Sequence, residues 1–280
     1  MILHTIHVGI TQTNCYVVGC EETHEGAVID PGGNPKRILK AVEESGLAIR
    51  YVLNTHCHFD HMGANAAVVA ATGAQLALHP AELPILQARG GAAWFGVPVK
   101  ESPMPDVELE NGQTLEVGTL RFQVLHTPGH EHGLITLFAP EQRAVFVGDL
   151  VQGGMKSSAN WLGLISDPAS QRRSLERVRD LAPEWLFKGH RVPRSGPDVR
   201  EDITCALARL DAIEEALLQV LAERESVTVA GAAREVYRRV LDLEQNPVIP
   251  YTLMTTGSFL KDLRLRGKVQ QTDAYEWSLT

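Results

Sequence analysis

The chain is punctuated by short apolar runs that stop at residues with chemistry to offer. "NCYVVG", "GAVIDPGG", "IRYVLN", "AQLALH", "LRFQVLHT", "GLITLFA", "AVFVGD" and "EWLFKGH" are rich in Val, Ile, Leu and Phe and bounded by Gly, Pro, Asn or Asp. Runs this short fit strands of a covered sheet better than buried helices. Helical patterns lie between them. Pro35 to Ser45 places Ile38, Leu39 and Val42 on one face, and Ser170 to Leu181 does the same with Leu175, Val178 and Leu181. The pattern predicts an α/β domain over residues 1–200. Within it "GQTLEVGTLRFQVL" reads as a β-hairpin turning at Gly118, which disfavours a purely parallel, doubly wound sheet.

Past residue 200 the strand signals give way to helical ones. Ile203, Leu207, Leu210, Ile213, Leu217 and Val220 recur at steps of three and four, the stripe of a long amphipathic helix. Shorter helices are expected in "TVAGAAREVYRRVL" and in "YTLMTTGSFLKDLRLRG", the latter closed by Gly267. The tail "KVQQTDAYEWSL" alternates like a terminal strand or hairpin. Residues 201–280 are therefore expected to form a small helical, winged-helix-like domain.

Composition narrows the function. A formal charge of -8 argues against a surface given over to nucleic acid, and 44% hydrophobic residues in 280 supply a sizeable core. Cys15, Cys20, Cys57 and Cys205 are too few and too scattered for a disulfide framework. With no signal-peptide pattern at the N-terminus and no long apolar span, a cytoplasmic, soluble protein is expected.

Directly after "IRYVLN" comes "THCHFDH". In an extended segment His56 and His58 share a side, while Asp60 and His61 sit where the chain turns into a helix expected near Met62. Imidazole and carboxylate groups at this density suit zinc, manganese or iron. His130 in "HTPGH", Asp149 in "VFVGD" and His190 in "LFKGH" each follow a predicted strand, where an α/β domain gathers its site residues. Cys57 points the other way and reads as a packed thiol.

Taken in order, "THCHFDH", "HTPGH", "GD" and "GH" resemble the metallo-β-lactamase superfamily, and "VIDPGG" with Asp30 matches that family's early motif. The resemblance implies an αββα sandwich with two divalent metal ions, zinc first and iron or manganese after it, at one edge. His56, His58 and His130 would bind one ion and Asp60, His61 and His190 the other. Asp149 would bridge them, Asp30 would support the site from behind, and Asp60 would also orient the attacking hydroxide. "ILHTIHVGITQTNCYVVG" looks like the glyoxalase II branch, whose members hydrolyse thioesters. The chain departs from short members of that branch: "GRxD" is missing between Asp149 and His190, and the C-terminus is unlike a glutathione-binding domain. Both departures weaken a glutathione substrate. His126 and His132 read as supporting or packing residues, because the seven-residue set is complete without them.

A small-molecule substrate is expected, with Trp94 and Phe95 in "ARGGAAWFGVPVKESPMP" as an apolar wall and "MKSSANW", Met155 to Trp161, supplying polar contacts. The favoured activity is hydrolysis of a thioester or related acyl ester. A lactonase or β-lactamase-like activity and a phosphodiesterase or endoribonuclease are the alternatives. Only Lys261, Arg264, Arg266 and Lys268 offer a grip on nucleic acid, and no membrane partner is expected. Oligomeric state is not legible.

Overall fold

In the computed structural model of the chain, residues 1–152, 163–241, 250–272 and 275–280 are described. The stretch Met155 to Trp161, expected to contact substrate, lies outside them. Two compact units emerge: one of Met1–Thr127, Gly133–Leu150 and Leu181–Val199, the other of Pro128–His132, Val151–Asp180 and Arg200–Thr280. The second unit thus takes in the expected C-terminal region and two earlier segments besides.

The first unit holds two six-stranded sheets. One runs in chain order through β1 (Ile2–Val8), β2 (Thr13–Gly19), β3 (Glu25–Ile29), β4 (Ala48–Leu53), β5 (Gln75–Leu78) and β6 (Val107–Glu108). Its helices are α1 (Pro35–Ser45), α2 (Phe59–Met62), α3 (Asn65–Thr72) and α4 (Leu83–Gln87). The other sheet, read from its far edge, is β12 (Arg194–Ser195), β11 (Trp185–Lys188), β10 (Ala144–Gly148), β9 (Ile135–Ala139), β8 (Leu120–His126) and β7 (Thr114–Val117). β7 and β8 form the expected hairpin, with Val117 opposite Leu120. Both sheets are mixed: β3–β4–β5–β6 and β10–β11 pair in parallel, while the other neighbours are antiparallel.

Alternation along the strands explains the layering. Tyr16, Val18, Ala27, Ile29 and Leu53 point from the first sheet into a core shared with Phe122, Val124, Leu137, Phe146 and Phe187 of the second. The opposite faces of β2, β3 and β4, with Val17, Val28 and Val52, pack with Ile38 of α1 and Val68 of α3. These strands are buried on both faces, which is why they read as continuous apolar runs. Cys57 belongs to that helix-side core, as its direction in the sequence suggested.

In the second unit α5 (Pro168–Asp180) is followed by α6 (Pro197–Ala222), which belongs to this unit from Arg200 on, α7 (Val229–Leu241) and α8 (Pro250–Leu265). The predicted stripe is buried at Ile203, Leu210, Ile213, Leu217 and Val220, worth about 1.5–3 kcal/mol for each large side chain removed from water. Gly267, at φ +69, ends α8, with Lys268 donating its N–H to the Leu263 carbonyl. β13 (Val269–Gln271) and β14 (Trp277–Leu279) form an antiparallel hairpin, and Val227 bridges to Trp277. Among the described residues no helix is long and apolar enough to cross a membrane.

Candidate metal centre

β4 ends at Leu53, and the donor-rich stretch is the connection beyond it. The helix expected near Met62 starts earlier, at Phe59, with His58 extended before it at φ -64 and ψ 151. Asp60 and His61 therefore sit in the first turn of α2, which redirects the chain and aims both back at the strand end. Gly32 permits this turn, since a Cβ there would lie 1.5 Å from the Asp60 carbonyl oxygen.

Asp30 organises the centre from beneath. It stands just past β3 in the left-handed region at φ 51. Its Oδ1 accepts the Thr55 N–H at 2.8 Å, and its Oδ2 accepts the Thr55 hydroxyl at 2.7 Å and His61 Nδ1–H at 3.0 Å. The tautomers follow. A carboxylate only accepts, so His61 carries hydrogen on Nδ1 and turns Nε2 to the centre. The single Thr55 hydroxyl hydrogen goes to Asp30, so Thr55 Oγ1 accepts from His56 Nδ1, 3.2 Å away, and the His56 lone pair also falls on Nε2. With both oxygens occupied in this way, Asp30 orients ligands.

The structure brings His56, His58, Asp60, His61, Asp149 and His190 together in the first unit. The His56 ring lies 4.7 Å from that of His58 and 4.1 Å from that of His61, and the His61 and His190 rings are 5.3 Å apart. Donor atoms of Asp60, His61 and His190 all lie within 4.8 Å of one another. His61 Nε2 is 3.5 Å from Asp149 Oδ1 and 4.0 Å from Asp60 Oδ2, while His190 Nε2 is 3.4 Å from Asp60 Oδ2 and 3.6 Å from Asp149 Oδ2. His130 belongs to the second unit, where its Nδ1 lies 2.7 Å from the Leu164 carbonyl oxygen.

The electrostatics fit a cation. Burial alone would lower the His61 pKa, but Asp149, Asp60 and Asp30 override it and push it up to about 10. His190 is raised too: burial opposes the shift, and Asp149 and Asp60 outweigh it. Burial would raise Asp60, yet His61 and His190 hold it well below the usual carboxylate range. Three buried carboxylates around imidazoles thus draw positive charge, which a divalent ion supplies more completely than protons. The structural test is His61 Nε2, which is buried with no hydrogen-bond partner. A buried ring nitrogen facing two carboxylates beyond hydrogen-bond range is what a metal ligand leaves when its ion is removed, so the residues fit the group.

Several supports carry no metal-site pattern in sequence. Thr13 donates to Asp60 Oδ2 at 3.1 Å. Asn14 donates from its side chain to the carbonyls of Lys188 and Arg191, at 3.0 and 2.6 Å, and from its backbone to that of Gly189 at 2.7 Å, fixing the His190 turn. Gly189 cannot carry a side chain, because a Cβ would meet Asp149 Oδ1 at 2.2 Å and His61 Cε1 at 2.6 Å. Glu82, fully buried, accepts the N–H of Cys57 at 2.7 Å and of Gly133 at 2.9 Å. His126 stacks on His79 at 4.2 Å, in keeping with a packing role, and His132 is exposed.

Paired sheets whose strand ends gather buried histidines and carboxylates define a class, the metal-dependent hydrolases of this sandwich fold. The chain belongs to the metallo-beta-lactamase superfamily, whose sequence profile matches residues 8–190. It is 31% identical over 231 residues to a hydroxyacylglutathione hydrolase of Rhodospirillum rubrum, covering 82% of this chain and 78% of the relative. A solved structure of TTHA1623 in a di-iron-bound form is 34% identical, with a TM-score of 0.61 over 71% of this chain and 98% of that one. The metallo-beta-lactamase family protein TTHA1429 from Thermus thermophilus shares the fold along the whole length, with a TM-score of 0.77 at 24% identity and coverage of 100% and 98%.

Proposed function

We propose that the protein hydrolyses a small acyl thioester at a centre of two divalent ions. The observation that carries this reading is His61, locked by Asp30 at one nitrogen and presenting the other, buried and without a hydrogen-bond partner, beside Asp60 and Asp149. In this reading Asp60, His61 and His190 would hold one ion, His56, His58 and His130 would hold the other, and Asp149 would be shared by both. Zinc suits the nitrogen and oxygen donors best, and iron is supported by the di-iron-bound form of a relative 34% identical. When bound, such ions supply a nucleophile at neutral pH and polarise the acyl carbonyl. Asp60, steadied by Thr13, orients the attacking water. A thiolate, with a pKa of about 8.5, leaves with little help from an acid.

The thioester is favoured by the name of the Rhodospirillum relative and by the wall beside the site. The tight 3-10 stretch Arg89–Phe95 seats Phe95 at 5.1 Å from Phe59 of α2 and leaves Trp94 76% exposed, available to an acyl or thiol portion of substrate. The nuclease alternative is weakened at two of its four grip residues: Arg266 and Lys268 are ion-paired to Glu214, and Arg266 also to Asp262. We also read α6 to α8 with the hairpin as a winged-helix-like domain, which the Val227–Trp277 bridge supports.

The test is elemental analysis of protein purified without chelator, followed by a panel of acyl thioesters, lactones, β-lactams and phosphodiesters. Two ions per chain and chelator-sensitive thioester turnover are expected. Salt-sensitive cleavage of RNA with every thioester untouched would replace this reading with the nuclease.

A further inference from the structure

Within the second unit, the surroundings of His130 link it to the last long helix. Its Nδ1 lies 2.7 Å from the Leu164 carbonyl oxygen. A carbonyl can only accept, so the hydrogen sits on Nδ1 and the lone pair on Nε2, the form in which an imidazole binds a metal. The Gln152 side-chain nitrogen lies 2.9 Å from the same Nδ1. Two donors cannot face each other, so a hydrogen on Nδ1, given to the Leu164 carbonyl, requires the Gln152 amide to present its oxygen there instead.

The Leu164 carbonyl is itself held from both sides by one side chain of α8. The Thr255 hydroxyl, fully buried, donates to the Gly163 carbonyl at 3.1 Å and accepts the Ile165 N–H at 3.0 Å. It thus spans Leu164 as a neighbouring strand would. Ser258, one turn on and on the same face, donates to the Ile165 carbonyl. The next residues continue the clasp, since the N–H groups of Ser166 and Asp167 donate to the Gly129 carbonyl at 2.7 and 3.0 Å. A run of hydrogen bonds therefore joins α8 to the loop that carries His130.

We propose that Thr255 is a positioning residue for His130: by fixing the Leu164 carbonyl it selects the tautomer and direction of a metal ligand. This rests on the reading of His130 as a ligand. The last long helix then sets the direction of His130 through the Leu164 carbonyl, whatever it does for substrate. The adjacent Thr256 supplies the control, because its hydroxyl is buried without a hydrogen-bond partner.

The experiment uses the full chain labelled with 15N-histidine, with zinc affinity read by chelator competition and the His130 tautomer by imidazole NMR of the metal-free protein. Thr255→Val should weaken one of the two ions by about 10- to 100-fold, the range for lost orienting partners, and shift His130 from a pure Nδ1–H form to a mixture. Thr255→Ser should retain both properties, and Thr256→Val should change neither. Wild-type zinc affinity and an unchanged tautomer in folded Thr255→Val would overturn the proposal. Should that variant not fold, Thr255→Ala is read for the same tautomer shift, and its absence is equally decisive. His130→Ala separates the premise from the inference, because retention of both ions there shows that His130 is no ligand and removes both.

Discussion

His61 and His130 are held by the same atom in different ways. In the first unit His61 Nδ1 donates to a buried carboxylate from the end of the neighbouring strand. In the second unit His130 Nδ1 faces a backbone carbonyl whose position depends on a side chain about ninety residues further along. The first arrangement adds charge as well as direction, making its ring a stronger base. The second adds direction alone. A histidine steadied by a carboxylate is expected to resist local disturbance, and one steadied by a carbonyl to register events far away in the chain.

The largest effect should come from taking charge out of the His61 corner. Asp60→Asn is expected to lower kcat by about 10²- to 10⁴-fold with the fold retained, checked by circular dichroism beside turnover. Next comes Asp30→Asn, whose amide would turn a donor towards the Thr55 and His61 donors. It should loosen the ion at His61 by about 100-fold, the upper end for a lost orienting partner and more than Thr255→Val loosens its ion, measured by chelator competition. A loss no greater than that of Thr255→Val would erase the contrast drawn above. The third effect is on pH. With His61 pushed up to about 10, the metal-free centre is protonated at neutral pH, so binding displaces a proton. Affinity should climb by about tenfold per pH unit for each proton released and fall as the medium is acidified. Calorimetry in buffers of different ionisation enthalpy counts those protons.

Smaller effects bound the comparison from outside. Trp94→Ala should raise KM for an acyl thioester by roughly tenfold with kcat little changed, and an unchanged KM would remove the wall. Cys57→Ala should cost about 1 kcal/mol of stability as a packing loss and leave metal content intact. A metal-free Cys57→Ala protein would show that the donor set is wrong.

What the sequence makes legible is chemistry gathered within a few residues. His56, His58, Asp60 and His61 stand out because one strand end supplies them all, and Asp30 because it closes an apolar run. The start of α2 is misjudged by three residues, near Met62 in place of Phe59, because the apolar pattern begins later than the turn that Gly32 makes room for. The supports are invisible for a different reason. Thr13 meets Asp60 across 47 positions, Glu82 meets Gly133 across 51 and Thr255 meets Ile165 across 90. Two of these three contacts are to backbone atoms, which every residue possesses, so no side-chain pattern marks the partner.

Gly32 and Gly189 carry no functional group, yet a single methyl at either would strike the Asp60 backbone or the Asp149 carboxylate. A map of tolerated substitutions along this chain should therefore show two blank columns where chemistry predicts indifference. The centre owes its outline as much to two missing carbons as to its donors, and an ancestor with alanine at either place would have had to lay its backbone along another path.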